Sequence, residues 1–211
     1  MSAPQYLQSL KEVAASYDGF LIDIWGVIHN GVALYPDVLD ALKWLQENKK
    51  KTLLLSNAPR RLSIAKQKLA ELGLAATNYG DIYTSGEDCH QALRNRSTPW
   101  HQNLGNKFYH MGPPRDRTIF EGLDLYIEAN DVRTADFLLI TGTLNPMDTV
   151  DDYEIILDAA SSRKIPALCA NPDVHVMYGT DKIICAGKIA QAYQSKGGDV
   201  YYHGKPYPAI Y

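Results

Sequence analysis

The stretch GFLIDIWGVIHNG places Asp23 at the end of a short apolar run, just before a glycine turn. A carboxylate at the carboxyl end of a strand is exposed enough to attack and rigid enough to aim, and such groups form aspartyl-phosphate intermediates. An aspartate that only caps a loop has the same local look. Ser56-Asn57 follows a second apolar run. There a hydroxyl, an amide and the backbone amides of a starting helix can hold a phosphoryl oxygen, although the pair also suits a plain helix N-terminal turn. Lys205 sits in HGKPYP, where a glycine and two prolines restrain the chain. A fixed ammonium balances charge on a carboxylate and a phosphate, yet a Gly-Lys-Pro segment on its own is simply a turn.

The elements that must position these groups read as alternating strands and helices. An amphipathic helix is predicted over residues 5–15, then a strand at Phe20-Leu21-Ile22, apolar enough for burial on both faces. Pro36 opens the helix PDVLDALKWLQENKK, TLLLSNAP gives a second strand, RRLSIAKQKLAELG a helix stopped by Gly73, and DIYTS a third strand. This order implies a parallel sheet with right-handed crossovers, whose ligands bind beyond the carboxyl ends of the strands. From Gly86 the texture turns irregular through RNRSTPWHQNLGNKFYHMGPPRDR. The segments KFYHMG, ADFLLITG, DDYEIILDAASSR and IPALCANPD then form a second α/β unit, and AGKIAQAYQSKGG leads to VYYHGKPYPAIY. The predicted organisation is a core first part at 1–85, an inserted α/β domain at 86–185 and a return to the core at 186–211.

Composition narrows the function. With 211 residues, 24 acids against 21 Lys and Arg and a net charge of −3, the chain has no field for nucleic acid or anionic membrane. Its 14 tyrosines lack the basic companions of a nucleic-acid platform. No apolar run approaches the roughly 18 residues of a membrane span, and the N-terminus lacks the layout of a signal peptide. Three dispersed cysteines point to a reducing compartment, so a cytoplasmic location is expected. The six histidines (His29, His90, His101, His110, His175, His203) show no zinc spacing.

Taken together, an apolar strand into Asp23-x-x-Gly26-Val27, a second into Ser56-Asn57, an insertion and then Gly204-Lys205-Pro206 resemble the haloacid dehalogenase superfamily of phosphohydrolases. More narrowly the order resembles class IIA, whose C2-type cap is inserted between the second and third motifs. CANPD, ending in Asp173, resembles the Asn-Pro-Asp loop of that cap. The resemblance covers residues 20–211. It implies a Rossmann-like parallel-sheet core with an inserted α/β cap and a phosphoric monoester hydrolase. Asp23 would be the nucleophile and a Mg²⁺ ligand, with the Trp25 backbone carbonyl as a second ligand. Ser56 would hold the phosphoryl group and Lys205 balance its charge. Gly26 would belong to a flap over 26–35, Asn57 would support its loop beside the substrate, and Asn171 and Asp173 would face the substrate.

Two departures qualify this picture. Most of the family carries an aspartate where this chain has Trp25, acting as general acid and then base, a role worth ~10²–10⁴ in rate. His29, six residues after the nucleophile, could move the proton instead, or be a flap histidine that merely contacts solvent or the cap. A leaving group that needs no proton is another solution. Trp25 itself could pack or offer a flat face to a ring. Second, the resemblance calls for a further helix, strand and acidic motif after Gly204-Lys205-Pro206 to complete the Mg²⁺ site, whereas the sequence stops at Tyr211. The expectation is a piece of a longer parent, with the Asp23 strand at an open sheet edge that favours self-association. The leading expectation is a Mg²⁺-dependent phosphatase-like hydrolase of a small phosphorylated metabolite. Its alternatives are a degenerate fold that binds a phosphorylated ligand without turnover and a plain doubly wound domain with a non-hydrolytic ligand.

Overall fold

A computed structural model describes residues 6–7, 9–96, 98–178 and 181–211. The chain divides into two compact units, Met1–Leu55 with Lys66–Ile82, and Ser56–Ala65 with Tyr83–Tyr211. Mixed helices and parallel sheets of Rossmann-like type make up the fold.

The first helix, α1, spans Lys11–Ala14. It is shorter than the 5–15 predicted, and Gln5 and Gln8 of that prediction lie outside the described residues. Strand β1 (Gly19–Asp23) pairs parallel with β2 (Lys51–Ser56), in a register that sets Gly19 against Lys51 and Asp23 against Leu55. With β3 (Asp81–Thr84) they form a sheet of order β1-β2-β3. The prediction that β1 is buried on both faces is corrected here: Leu21 is 61% exposed, because the face that carries Gly19, Leu21 and Asp23 is uncovered, while Phe20 and Ile22 on the other face are half-buried. An apolar groove of about 360 Å³ runs beside it, lined by Leu21, Val27, Leu42 and Leu45 among others, with Asp23 in its wall. Helix α2 (Val38–Glu47) starts two residues after Pro36, since Asp37 takes a left-handed φ of 63° that a helix cannot include. It buries Leu42 and Leu45. Helix α3 (Leu62–Glu71) ends just before Gly73, whose φ of +95° turns the chain back.

Helices α4 (Ser85–Asn95) and α5 (Pro99–Gln102) precede β4 (Lys107–Met111), β5 (Ile127–Glu128) and β6 (Phe137–Ile140). Helix α6 (Glu154–Ser162) leads to β7 (Ala167–Cys169), the antiparallel pair β8 (His175–Tyr178) and β9 (Asp181–Ile184) follows, and α7 (Ala186–Ser195) leads to β10 (Val200–Tyr202). A five-stranded parallel sheet has the order β10-β7-β6-β4-β5. Strand β10, from the 186–211 segment, thus bonds to β7 of the 86–185 segment.

Period-two alternation explains how this sheet is covered. Leu138 and Ile140 of β6, with Ala167 and Cys169 of β7, face a core shared with Leu157 of α6 and Ile189 and Tyr193 of α7. Phe137, Leu139 and Leu168 face the other core, with Cys89 and Leu93 of α4 and Phe108 of β4. Every residue of β6 is fully buried, so its near-continuous apolar sequence is the signature of a strand covered on both sides. Among the described residues, no helix is long and apolar enough to cross a membrane.

Candidate active site

In the first unit, the parallel strand β1 delivers Asp23 to its carboxyl end, where the side chain is exposed. The carboxylate is oriented by the next backbone amide, Ile24 N–H donating to Asp23 Oδ1 at 2.8 Å. Ile24 is buried, and its carbonyl accepts from Ile28 N–H at 2.9 Å, which curls the chain tightly behind the carboxylate. Gly26 supplies the left-handed φ of +83° this curl requires and donates its N–H to His29 O at 2.9 Å.

Trp25 has a local physical role. Its indole lies on Gly31, where an added Cβ would come 2.6 Å from Trp25 Cη2, and its ring meets the His29 ring edge-on at 5.3 Å. His29 is buried, and its Nδ1 accepts the Gly31 N–H at 2.9 Å, which assigns the ring proton to Nε2. Burial, then the positive charge of Lys68, holds its pKa below the ordinary value, so the ring is neutral at pH 7. Trp25, His29 and Gly31 therefore lock the turn that follows Asp23.

The other expected residues belong to the second unit, and there the structure brings several together. Ser56 ends β2, is buried, and accepts Ala58 N–H on Oγ at 3.1 Å, a short hydroxyl turn. Asn57 is buried and its amide is fully engaged by protein. It donates to Asp173 Oδ1 at 2.8 Å and to Lys205 O at 3.0 Å, and it accepts Lys205 N–H at 2.7 Å. The resemblance gave Asn57 a loop-supporting place beside the substrate. The side chain's work in this unit is to tie the loops of Asp173 and Lys205 to each other.

These loops are neighbours because β7 and β10 are. Tyr202 pairs with Cys169, so residues 170–173 and 203–205 leave the same carboxyl edge of the parallel sheet, the edge at which such sheets bind ligands. Asn171 caps its own loop, accepting Asp173 N–H on Oδ1 at 3.1 Å, and Asp173 stays exposed. Gly204 has a φ of +117°, and a Cβ there would meet Asn57 Oδ1 at 2.6 Å and Pro172 Cδ at 2.8 Å, so the turn before the half-buried Lys205 must be glycine.

Two helix starts press on these loops. Gly86 at the start of α4 donates to Ala58 O at 3.1 Å, and Gly187 at the start of α7 donates to Asp173 O at 3.0 Å. A Cβ at either glycine would fall 2.1 Å from backbone, on Arg60 N or Pro172 O. Charged residues that the sequence reading passed over hold the same edge. Arg61 pairs with Glu87 at 2.7 Å. Burial pushes the Glu87 carboxyl up, but hydrogen bonds from Arg61 and Gln91 outweigh it and hold the pKa below the ordinary value. Arg60 pairs with Asp116 at 3.3 Å, and there burial wins and raises the carboxyl pKa. The adjacent pair Arg60-Arg61, directly after Asn57-Ala58-Pro59, was the available signal.

For a divalent cation, this chain offers hard oxygen donors of the right type in the first unit, the Asp23 carboxylate and the Trp25 carbonyl. Among the described residues no cluster of three or more His, Cys, Asp or Glu converges. In type these donors suit part of a Mg²⁺ site, since that ion keeps several waters and is commonly held by one or two carboxylates plus substrate phosphate.

The sequence profile of the haloacid dehalogenase-like hydrolases matches residues 20–126. A haloacid dehalogenase-like hydrolase from Brucella suis is similar in structure, with a TM-score of 0.88 and 29% identity over 98% of this chain and 73% of that one. A p-nitrophenyl phosphatase from Archaeoglobus fulgidus has a TM-score of 0.65 and 25% identity over 92% of this chain and 71% of that one. A glycerol phosphate phosphatase from Mycobacterium tuberculosis in complex with magnesium has a TM-score of 0.67 and 21% identity over 94% of this chain and 58% of that one. No curated protein matches the chain. With the profile spanning half of its length and the parallel sheets in place, the chain belongs to the haloacid dehalogenase-like hydrolases.

Proposed function

We propose that this hydrolase is a Mg²⁺-dependent phosphatase of a small phosphorylated metabolite, working through a phosphoryl ester on Asp23. The observation that carries the reading is the exposed Asp23 carboxylate at the carboxyl end of a parallel strand, aimed by the Ile24 amide. The phosphatases among the similar structures, one of them holding magnesium, support the substrate class and the metal.

In this reading an Asp23 oxygen attacks phosphorus, the P–O bond to the leaving group breaks, and water then cleaves the acyl phosphate to release inorganic phosphate. Asp23 and the Trp25 carbonyl would hold the Mg²⁺, which when bound screens the negative charge of carboxylate and phosphate. Ser56 donates to a phosphoryl oxygen, and Lys205 balances charge on it. Asn57 keeps the Lys205 backbone and the Asp173 carboxylate in a fixed relation, as its three hydrogen bonds support. Asn171 shapes the loop that presents Asp173 to the substrate.

Trp25 has no proton to give, so the reading favours substrates with good leaving groups or slow turnover of poor ones. A cytoplasmic site of action is part of the proposal, supported by three buried cysteines, all free. So is self-association along the edge strand β1, supported by exposed Leu21. The test is phosphate release from a panel of phosphomonoesters with Mg²⁺, comparing the chain with Asp23→Asn. Turnover that the substitution abolishes supports the reading. Release that persists in Asp23→Asn refutes it, and ligand binding without turnover would instead favour a non-catalytic binder.

A further inference from the structure

Side chains far apart in sequence meet in a buried row within the second unit. His101 of α5 and His203, two residues before Lys205, are each 1% exposed, and their Nε2 atoms lie 3.1 Å apart. The ring centroids are 5.3 Å apart, more than the nitrogens by nearly two ring radii, so the imidazoles meet almost head-on, as an N–H···N bond requires. The far nitrogen of each ring is engaged too. His203 Nδ1 meets Asp88 Oδ2 of α4 at 2.7 Å, and His101 Nδ1 meets Thr98 Oγ at 2.5 Å.

Three hydrogen bonds in a row admit two proton inventories. With both rings neutral the bonds run one way: Thr98 O–H donates to His101 Nδ1, His101 Nε2–H to His203 Nε2, and His203 Nδ1–H to the Asp88 carboxylate. With one more proton, His203 is an imidazolium that donates to both Asp88 and His101 Nε2. His101 then carries its proton on Nδ1 and donates to Thr98 Oγ. Two bonds reverse and none is lost. The freed Thr98 hydrogen turns to a polar cavity of about 200 Å³ that Thr98, Gln91 and Asn95 help to line. A second added proton would set two cations head-on.

The groups around the row leave Asp88 as its partner charge. Glu87, its neighbour on α4, is turned to Arg61. Trp100 of α5 and Tyr201 of β10 pack on the rings, and Ala209 closes the cavity from the terminal turn. Tyr83 and buried Cys89 feel the Asp88 charge, and both have pKa values raised above the ordinary range, burial acting first. The row also ends where the Lys205 turn begins. His203 N–H donates to Cys169 O at 2.9 Å, Gly204 has no room for a side chain, and Asn57 holds both backbone groups of Lys205.

We propose that Asp88, His203, His101 and Thr98 form a proton relay with two fully hydrogen-bonded states, and that it holds the turn carrying Lys205 in one place in both. His203 is thus a positioning residue. Its catalytic consequence rests on the role given to Lys205 above; the relay itself does not.

NMR of the imidazole nitrogens and the Lys205 backbone amide, across a pH titration, reads the relay without any turnover. The expected result is the Nε2–H form of His101 and the Nδ1–H form of His203 at pH 7.5. When the row takes up its added proton His101 changes tautomer and gains no charge until about pH 4, and the Lys205 amide stays put. In Asp88→Asn the switch should need at least ~10-fold more acid. Two rings that titrate independently, or a Lys205 amide that moves with them, would overturn the proposal. His203→Asn keeps a donor for Asp88, and His203→Ala keeps none, so the Lys205 amide should shift in the alanine variant and return most of the way in the asparagine variant. Equal shifts in both would rule out positioning. If wild type shows no turnover while the NMR result holds, the phosphatase reading fails and the relay stands.

Discussion

Trp25 sits two residues after Asp23 and lies on Gly31, with the His29 ring at its edge. A single residue thus gives the turn its shape and withholds the proton donor that most of the family would be expected to carry there. Trp25→Asp supplies an acid. The expected outcome is a kcat for alkyl phosphates raised by ~10-fold or more, with a much smaller change for p-nitrophenyl phosphate, whose leaving group needs no proton. Equal effects on the two substrates would contradict this account. Asn57 makes the opposite case, a residue whose function lies in what it holds. Asn57→Ala leaves Lys205 N–H, Lys205 C=O and Asp173 without their partner, and should cost about 1–3 kcal/mol in urea unfolding. The places of Asp23 and Ser56 at strand ends and of Lys205 after a glycine turn were legible in the sequence, because each ends an apolar run or sits in a Gly/Pro turn. The engagement of Asn57 by Asp173 and Lys205 was not, because it joins residues more than a hundred positions apart.

At the scale of elements, the helices found by periodicity are those with an apolar stripe, such as α2 and α6. Helix α4 escaped that reading for a physical reason. Its buried residues include Ser85, Gly86, Glu87, Asp88 and His90, so a polar face is turned inward and held by Arg61, His203 and backbone carbonyls. Hydrophobic period carries no trace of such a face. Its entry glycine tests this packing. Gly86→Ala and Gly187→Ala each drive a Cβ to 2.1 Å from backbone, and each should destabilise by about 1–3 kcal/mol or more. Gly197→Ala, with a φ of +84° and nothing within 4 Å, should cost only the left-handed strain, about 1–2 kcal/mol. Chemical denaturation of the three variants measures the order, and a Gly197 variant as damaged as the others would contradict it.

For the whole molecule, sheet order was only partly readable, because which strand pairs with which depends on long-range contacts. Strand content and the parallel α/β class followed from apolar runs and turns. The union of β10 with β7 did not. The buried histidines make a molecular-scale prediction about acid. Burial first, then the charge of His203 for one and of Arg117 for the other, lowers the pKa values of His101 and His110 to about 4. Unfolded, each binds a proton near the ordinary 6.5. Between pH 6.5 and 4 the unfolded chain therefore holds more protons than the native one, so stability falls as pH falls through that window. Urea midpoints at pH 7.5, 6 and 4.5 should decline in order, and His101→Gln should flatten the decline. A constant midpoint would contradict the neutral, buried state of these rings.

The central claim is that Asp23 carries the phosphoryl group, and the most direct measurement is to trap it there. The chain would be mixed with p-nitrophenyl phosphate and Mg²⁺, quenched in acid within the first turnover, digested and examined by mass spectrometry. The account predicts the added mass of one phosphoryl group on the peptide containing Asp23, labile to hydroxylamine and absent from Asp23→Asn. Phosphate release with no adduct at Asp23, or an adduct that survives in the variant, would contradict it.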